Sequence, residues 1–210
     1  MKPELIDLGL SEYVQAHTLQ LHYVENLIAG NGEEAIILTE HRPVFTLGKN
    51  GDEASFFKDR VEIEEAGVSI VKTERGGDIT YHGPGQIVVY PILHLRRRSM
   101  SVAAYIEVLE QIMIDTAADV GVRARRDPRN RGVWVGDNKL GSIGIRVRRS
   151  VSFHGLALNV NLATGHFDWI RPCGLSGVGV TSLSREKQDR RLTTATVKPL
   201  LCAHVVKYFE

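Results

Sequence analysis

Hydrophobic residues recur at helical spacing in three segments of the chain. Apolar positions repeat every three or four residues over 14–28, 102–120 and 194–208. Ser101 stands where a helix cap is expected and Gly121 where a helix stops. The spacing therefore predicts one helix near the start of the chain, one in the middle and one at the end.

Between these helical segments the pattern changes to short runs rich in β-branched and other apolar residues. Such runs, bounded by glycine or polar residues, are typical of buried strands. They lie at Ala35–Leu38, Val68–Val71 and Ile87–Leu93, followed by a predicted meander of Gly132–Val135, Leu140–Val147 and Phe153–Val160. Strands clustered between separated helices predict an α+β fold rather than a regularly alternating α/β fold.

Length and composition limit the class of protein. The chain has 210 residues, of which 43% are hydrophobic and 24% charged, so we expect one globular domain spanning residues 1–210. No apolar run is long enough to cross a bilayer, since even Ile87–Leu95 contains Pro91 and His94. The segment Met1–Asp7 carries acidic residues where a signal peptide needs apolar ones, which predicts a cytoplasmic protein without a membrane partner.

Charge is unevenly distributed along the chain. The net charge is only +1, yet residues 1–95 hold 7 basic and 15 acidic side chains, whereas residues 96–149 hold 12 basic and 6 acidic ones. The arginines of this middle segment could form a docking surface for an acidic partner, or they could be solvated turns and strand edges. They could also bind nucleic acid, but few aromatic residues lie among them, so no nucleic-acid partner is predicted.

A glycine-rich segment, Arg75–Gln86, precedes one of the apolar runs. It contains four glycines in twelve positions, and glycine permits both positive φ and a close approach of backbone to a ligand. Its spacing matches neither a Rossmann fingerprint nor a phosphate-binding P-loop. A ligand-binding loop and a tight hairpin with a turn at Asp78 both remain open.

Three further positions have reactive side chains in unusual sequence surroundings. Lys139 lies among glycines at the start of an apolar run, His154 interrupts another apolar run, and Cys173 stands between Pro172 and Gly174. Lys139 could instead be an ordinary lysine at a strand edge, and His154 could be a hydrogen-bonded histidine of the core. A thiol becomes a nucleophile when a nearby cation or base lowers its pKa, for which Lys139, His82 and His154 are candidates.

The other thiol and the remaining histidines suggest no such chemistry. Cys202 belongs to the apolar side of the last predicted helix and is interpreted as a core residue. The eight histidines lack the paired spacing of a zinc site, and the chain has no paired cysteines, so no metal site is predicted.

Taken in order, four motifs resemble the signature blocks of the lipoyl(octanoyl) transferases. They are R-G-G-D-x-T-Y-H-G-P-G-Q at 75–86, K-x-G-S-I-G at 139–144, H-G-x-A-L-N at 154–159 and P-C-G at 172–174. The upstream segment Glu40–Gly48 is similar to the amino-terminal block of that family. The resemblance covers nearly the whole chain and implies a single α+β domain related to biotin and lipoate protein ligases, with a mixed sheet flanked by helices.

The resemblance also implies an activity. Family members move an octanoyl (or lipoyl) group from acyl carrier protein to a lysine ε-amine in a lipoyl domain, the first step of protein lipoylation. The acceptors are the E2 subunits of 2-oxoacid dehydrogenases and the glycine cleavage H protein. By this analogy Cys173 forms an acyl-thioester, Lys139 lowers its pKa and shuttles protons, and neither a cofactor, ATP nor a metal is needed. An ATP-dependent lipoate or biotin ligase on the same fold is the alternative.

The analogy extends to the acyl-binding residues, with His154 as a supporting residue. The substrate-binding positions it implies are Arg75, Gly76, Gly77, Asp78, Ile79, Thr80, Tyr81, His82, Ser142, Ile143, Gly144, Gly155, Leu156 and Ala157.

Overall fold

A mixed β-sheet forms the centre of the molecule in the computed structural model, which describes residues 2–171 and 178–210. Strands β1 and β2 pair in parallel, and β2, β6, β9 and β8 follow in antiparallel order. The start of β8 pairs with β7 and, in parallel, with β10. Within the larger sheet the bounds are β1 Glu4–Ser11, β2 Ala35–His41, β6 Gln86–Ile92, β7 Gly132–Val135, β8 Asn138–Arg148, β9 Val151–Asn159 and β10 Gly179–Val180.

A second sheet of three strands lies beside the larger one. Its order is β4, β3, β5, with β3 parallel to β4 and antiparallel to β5. These strands are β3 Val44–Leu47, β4 Ser69–Lys72 and β5 Ile79–His82. The helices are α1 Tyr13–Ala29, α2 Arg60–Glu65, α3 Val102–Asp119, α4 Leu183–Lys187 and α5 Thr194–Phe209, and 3₁₀ turns cover Glu53–Ser55 and Thr164–Trp169.

Helices cover both faces of the larger sheet, because its central strands are apolar on both sides. In β2, Ile36 and Leu38 pack into the cluster formed by α3 and α5, whereas Ala35 and Ile37 pack with α1. Successive side chains of a strand point to opposite faces, which explains this division. A third cluster, around Phe45, lies against the smaller sheet.

The three predicted long helices are confirmed. The Ser101 hydroxyl accepts a hydrogen bond from the Ala104 amide at 3.1 Å and so caps α3, and Gly30 ends α1 with φ +80°. The predicted strand runs also match β2, β4, β6, β7, β8 and β9. The α+β class and the mixed sheet flanked by helices are therefore confirmed.

The hydrophobic pattern did not predict β1, β3, β5 or β10. β1 is an exposed edge strand with a register shift between Asp7 and Leu10, so its apolar positions do not alternate regularly. β3 and β5 are as long as β4 and β7, which were predicted, but polar Thr80 and His82 interrupt β5 and Thr46 interrupts β3, so neither is a continuous apolar run. β10 has only two residues. Within the described ranges, no helix is long and apolar enough to span a membrane.

Candidate active site

A cavity of about 360 Å³ opens where β8 and β9 meet the glycine-rich segment. This volume lies within the range of about 300–1,000 Å³ that is usual for small-molecule sites. Apolar side chains supply much of the wall, among them Val88, Ile106, Ile143 and Leu156. Lys139, Asn130 and Arg131 contribute polar groups to the same wall.

Backbone hydrogen bonds hold the start of the glycine-rich segment in place. The Gly76 amide donates to the Ile145 carbonyl at 2.8 Å, and the Asn50 amide donates to the Gly77 carbonyl at 3.1 Å. Gly77 has φ +86°, a conformation that side chains other than glycine rarely adopt. The segment is thus a cavity wall held between β8 and the loop after β3. Its middle, Ile79–His82, forms β5, and its last residue, Gln86, begins β6.

Arg75 anchors this wall from within. Its guanidinium is buried and donates to the Thr46 carbonyl at 2.5 Å, to the Thr46 hydroxyl at 2.8 Å and to the Gly76 carbonyl at 3.1 Å. These bonds compensate the desolvation of a buried cation. Arg75 therefore links the smaller sheet to the cavity.

Gly155 allows β9 to pass close to β6. A Cβ atom at this position would lie 2.1 Å from the Val89 carbonyl oxygen, closer than any real contact. Beside it, His154 has φ +53°, and its amide donates to the side-chain oxygen of Gln20 on α1 at 2.8 Å. The pairing of β6 with β9 ends at Val89 and Leu156, and Pro91 beyond it has no N–H to donate. This irregularity turns the His154 ring toward the cavity that it lines.

Lys139 lies on β8 and is half-buried rather than free at a strand edge. Its Nζ donates to Oδ1 of Asn130 at 2.6 Å and lies 5.4 Å from the centre of the Trp134 ring. β10, at Gly179–Val180, pairs with Asn138 and Lys139, so residues 179–180 lie beside Lys139. The lysine is held against the cavity wall by a polar partner and an aromatic face.

Several buried aromatic and imidazole groups lie at the Tyr13 side of the cavity. Burial lowers the pKa of His82 to about 3 and that of His41 to about 4, while it raises the pKa of Tyr13 to about 12. His41 Nε2 lies 2.7 Å from the Tyr90 hydroxyl, and His82 Nδ1 lies 2.6 Å from Oε1 of Gln86. All three groups are therefore uncharged at neutral pH.

His154 differs from the other buried histidines. It is 1% exposed, and neither of its ring nitrogens has a hydrogen-bond partner among the described residues. Its Nε2 lies 3.7 Å from a carboxylate oxygen of Glu74, beyond hydrogen-bond distance. Burial lowers the pKa of His154. The alternative of a hydrogen-bonded core histidine does not describe this residue.

The structure brings most of the predicted site residues to one cavity. Lys139, His154 and the acyl-binding positions other than Tyr81 line it. The Tyr81 ring points instead into the core beside β5, where it stacks on His166 at 4.5 Å between ring centres. Its neighbours Thr80 and His82 line the cavity instead, as does Ile79 at the start of the strand. Cys173 lies outside the described residues, and substrate binding by these positions stays a prediction.

The motifs did not predict seven residues of the cavity wall. Six of them come from other parts of the chain, and Ile145 directly follows the K-x-G-S-I-G motif. No local signal marks them: Tyr13 is one of many residues on α1, and Val88 and Tyr90 look like ordinary strand positions. The wall residues not predicted are Tyr13, Val88, Tyr90, Ile106, Asn130, Arg131 and Ile145.

Comparison with known proteins identifies relatives along most of the chain. The sequence model of the lipoyl protein ligase A/B catalytic domain matches residues 12–206. An octanoyltransferase from Desulfotalea psychrophila is 50% identical over 185 residues, covering 87% of this chain and 83% of the relative. Another from Syntrophobacter fumaroxidans is 43% identical over 209 residues, covering 100% of this chain and 91% of the relative.

Solved structures resemble the fold at much lower sequence identity. LipL1 of P. falciparum, crystallised with lipoate, has a TM-score of 0.77 and 16% identity over 99% of this chain and 62% of that one. The biotin protein ligase of Leishmania major has a TM-score of 0.54 and 9% identity, over 98% of this chain and 73% of that one. These likenesses show that the chain shares its fold with LipL1 and with a biotin protein ligase.

Proposed function

This chain belongs to the family of lipoyl protein ligase A/B catalytic domains, and we propose that it transfers octanoyl groups from acyl carrier protein to lipoyl-domain lysines through Cys173. The chain is an octanoyltransferase, an acyltransferase of protein lipoylation, because relatives of that name share 42–50% of their residues with it over most of its length. The ligase alternative is less supported, since the ligase structures show only the fold. The donor, the acceptors, the thioester and a cytoplasmic location are the proposed part.

One observation supports the proposal most strongly: an apolar cavity that has Lys139 in its wall. Each methylene group that leaves water for an apolar site contributes about 0.8 kcal/mol, so an eight-carbon chain gains about 5 kcal/mol. The glycines at 76, 77, 144 and 155 keep side chains out of this space. A saturated acyl group fits such a wall better than a polar substrate does.

The first half-reaction is a thioester exchange. The Cys173 thiolate attacks the thioester carbonyl of the octanoyl carrier protein, a new C–S bond forms, and the bond to the phosphopantetheine sulfur breaks. The departing thiolate takes up a proton. A neighbouring ammonium group stabilises a thiolate, which is the role we assign to Lys139.

In the second half-reaction the ε-amine of the acceptor lysine attacks the acyl-Cys173 thioester. An amide bond forms, the C–S bond to Cys173 breaks, and the amine gives up a proton. Lys139 can accept that proton only as a neutral amine, although an ordinary lysine has a pKa near ~10.4. Transfer from a thioester to an amine runs downhill without a nucleotide.

Reconstituted transfer tests this function. The purified protein is incubated with octanoyl carrier protein and a lipoyl domain, and the mass of the lipoyl domain is followed with and without ATP. We expect octanoylation at the same rate in both. Transfer that requires ATP, or that uses free octanoate in place of the carrier-bound group, would favour the ligase alternative.

A further inference from the structure

Three side chains from distant parts of the chain meet beside the cavity. His17 comes from α1, Glu74 from the loop before the glycine-rich segment, and His154 from β9. One ligand atom from each lies within 4.8 Å of the other two. Among residues 2–171 and 178–210, no other group of histidine, cysteine and acidic side chains has this geometry.

The three ligand atoms are close enough to share a transition-metal ion, and one pair of them, His17 Nε2 and Glu74 Oε1, is within hydrogen-bond distance without one. His17 Nε2 lies 3.2 Å from one carboxylate oxygen of Glu74, and His154 Nε2 lies 3.7 Å from the other. Two ligands of a tetrahedral zinc ion, each bound at about 2.0–2.1 Å, are about 3.4 Å apart. The two measured separations bracket that value.

His154 is the observation that points to a ligand. It is 99% buried, it lines the cavity, and both ring nitrogens lack hydrogen-bond partners among the described residues. A buried polar group without a partner is costly, and coordination of an ion would satisfy one nitrogen. Its ring stacks on that of His17 with centres 5.4 Å apart, and Nε2 of each ring lies within 4 Å of a Glu74 carboxylate oxygen.

We propose that His17, Glu74 and His154 form a binding site for a divalent transition-metal ion of the zinc class at the edge of the cavity. Two imidazoles and one carboxylate are a common protein ligand set for zinc, and such sites leave a further coordination position open. The proposal does not depend on octanoyl transfer, because it concerns binding by these three side chains alone.

Zn²⁺ titration of the purified full chain, followed by calorimetry, tests the site. We expect wild type to bind one equivalent and His17→Gln or Glu74→Gln to bind at least about tenfold more weakly. His22→Gln is the matched control, since His22 lies on the same helix but is exposed and outside the cluster. It should bind as wild type does. Glu74→Gln keeps the side-chain shape and serves if His17→Gln misfolds.

Cobalt spectroscopy separates this site from binding by a thiol. Co²⁺ bound to the cluster should give d–d bands without a thiolate charge-transfer band, and Cys173→Ser should give the same spectrum. Absence of saturable binding to wild type would overturn the proposal. So would equal affinity in wild type, His17→Gln and Glu74→Gln, or loss of the ion in Cys173→Ser.

Discussion

Lys139 is the residue whose surroundings bear most directly on the chemistry. Its Nζ is held by Asn130 at 2.6 Å at the cavity wall, so it is not a mobile surface ammonium. We propose that it performs two tasks, stabilising a thiolate by charge and moving a proton. A substitution that keeps the charge but not the exchangeable proton separates them.

Lys139→Arg should therefore keep part of the thiol reactivity of Cys173 but lose transfer to the acceptor. Lys139→Ala should raise the thiol pKa and slow both half-reactions, with transfer falling by about 10²–10⁴-fold, the usual contribution of a positioned acid or base. The pH profile of iodoacetamide alkylation measures the thiol pKa. An identical profile in wild type and Lys139→Ala would contradict the pairing and make His82 or His154 the next candidate base.

His41 makes the stability of the protein sensitive to acid. Burial lowers its pKa from 6.5 to about 4, so the unfolded chain binds a proton between these pH values while the folded chain does not. The contribution of neutral His41 to the free energy of unfolding is thus fully present above pH ~6.5. It declines as the pH falls toward the folded pKa, by up to about 1.4 kcal/mol per pH unit.

Denaturant unfolding at pH 6.5 and pH 5 measures this effect. His41→Gln should lose less free energy of unfolding over that interval than wild type, by about 2 kcal/mol. His22→Gln, at an exposed site, should keep the wild-type dependence. The same loss in wild type and His41→Gln would mean that His41 titrates normally.

At the level of elements, the approach of β9 to β6 depends on Gly155. A methyl group there would lie 2.1 Å from the Val89 carbonyl oxygen, and both strands are buried in the central sheet. Gly155→Ala should therefore lower the free energy of unfolding by about 3 kcal/mol and narrow the cavity.

Gly165 is the matched control for that substitution, because a Cβ atom there meets nothing within 4 Å. Gly165→Ala should change the free energy of unfolding by less than about 1 kcal/mol. Denaturant unfolding compares the two variants. Equal effects would show that the contact between β9 and β6 relaxes easily.

The long elements could be predicted from sequence because each has a signal of its own. Helix α3 has a repeating apolar face, a cap at Ser101 and a stop at Gly121. β5 could not be predicted, since its four residues are held by pairing with β3 rather than by an apolar pattern of their own. Long-range pairing decides such short strands, and a local window does not contain it.

The residues of the site likewise divide into those that the sequence could identify and those that it could not. The motif residues are adjacent in sequence, so a resemblance could identify them, whereas Tyr13 and Ile106 reach the cavity only through packing of α1 and α3. Tyr81 shows the limit of motifs, because it belongs to one but points away from the cavity. The cluster of His17, Glu74 and His154 has no sequence signal, since its members lie on three separate elements.

For the molecule as a whole, the basic middle segment, residues 96–149, carries fewer unpaired positive charges than its sequence suggested, because several of its arginines form ion pairs. Arg125 and Arg129 pair with Asp127, Arg126 pairs with Glu110, and Arg148 pairs with Glu25. Within residues 96–149, the exposed arginines that form no ion pair with a described residue are Arg96, Arg97, Arg123, Arg146 and Arg149. These remain the candidates for docking an acidic carrier protein.

Arg146→Glu and Arg149→Glu should raise the apparent KM for octanoyl carrier protein while leaving acylation by a small octanoyl thioester nearly unchanged. The reason is that complementary charge mainly accelerates encounter, an effect that salt screens. Lys72→Glu is the control, an exposed cation outside the basic segment. Equal losses with both donors, or an equal effect of Lys72→Glu, would refute the docking surface.

The central claim is that Cys173 carries the acyl group without nucleotide activation, and intact-mass measurement tests it most directly. After incubation with octanoyl carrier protein and no ATP, wild type and Cys202→Ser should each gain one octanoyl group, and Cys173→Ser should gain none. Cys202 is half-buried in α5, where burial raises the pKa of its thiol. An adduct that persists in Cys173→Ser, or one that forms only with ATP, would contradict the account.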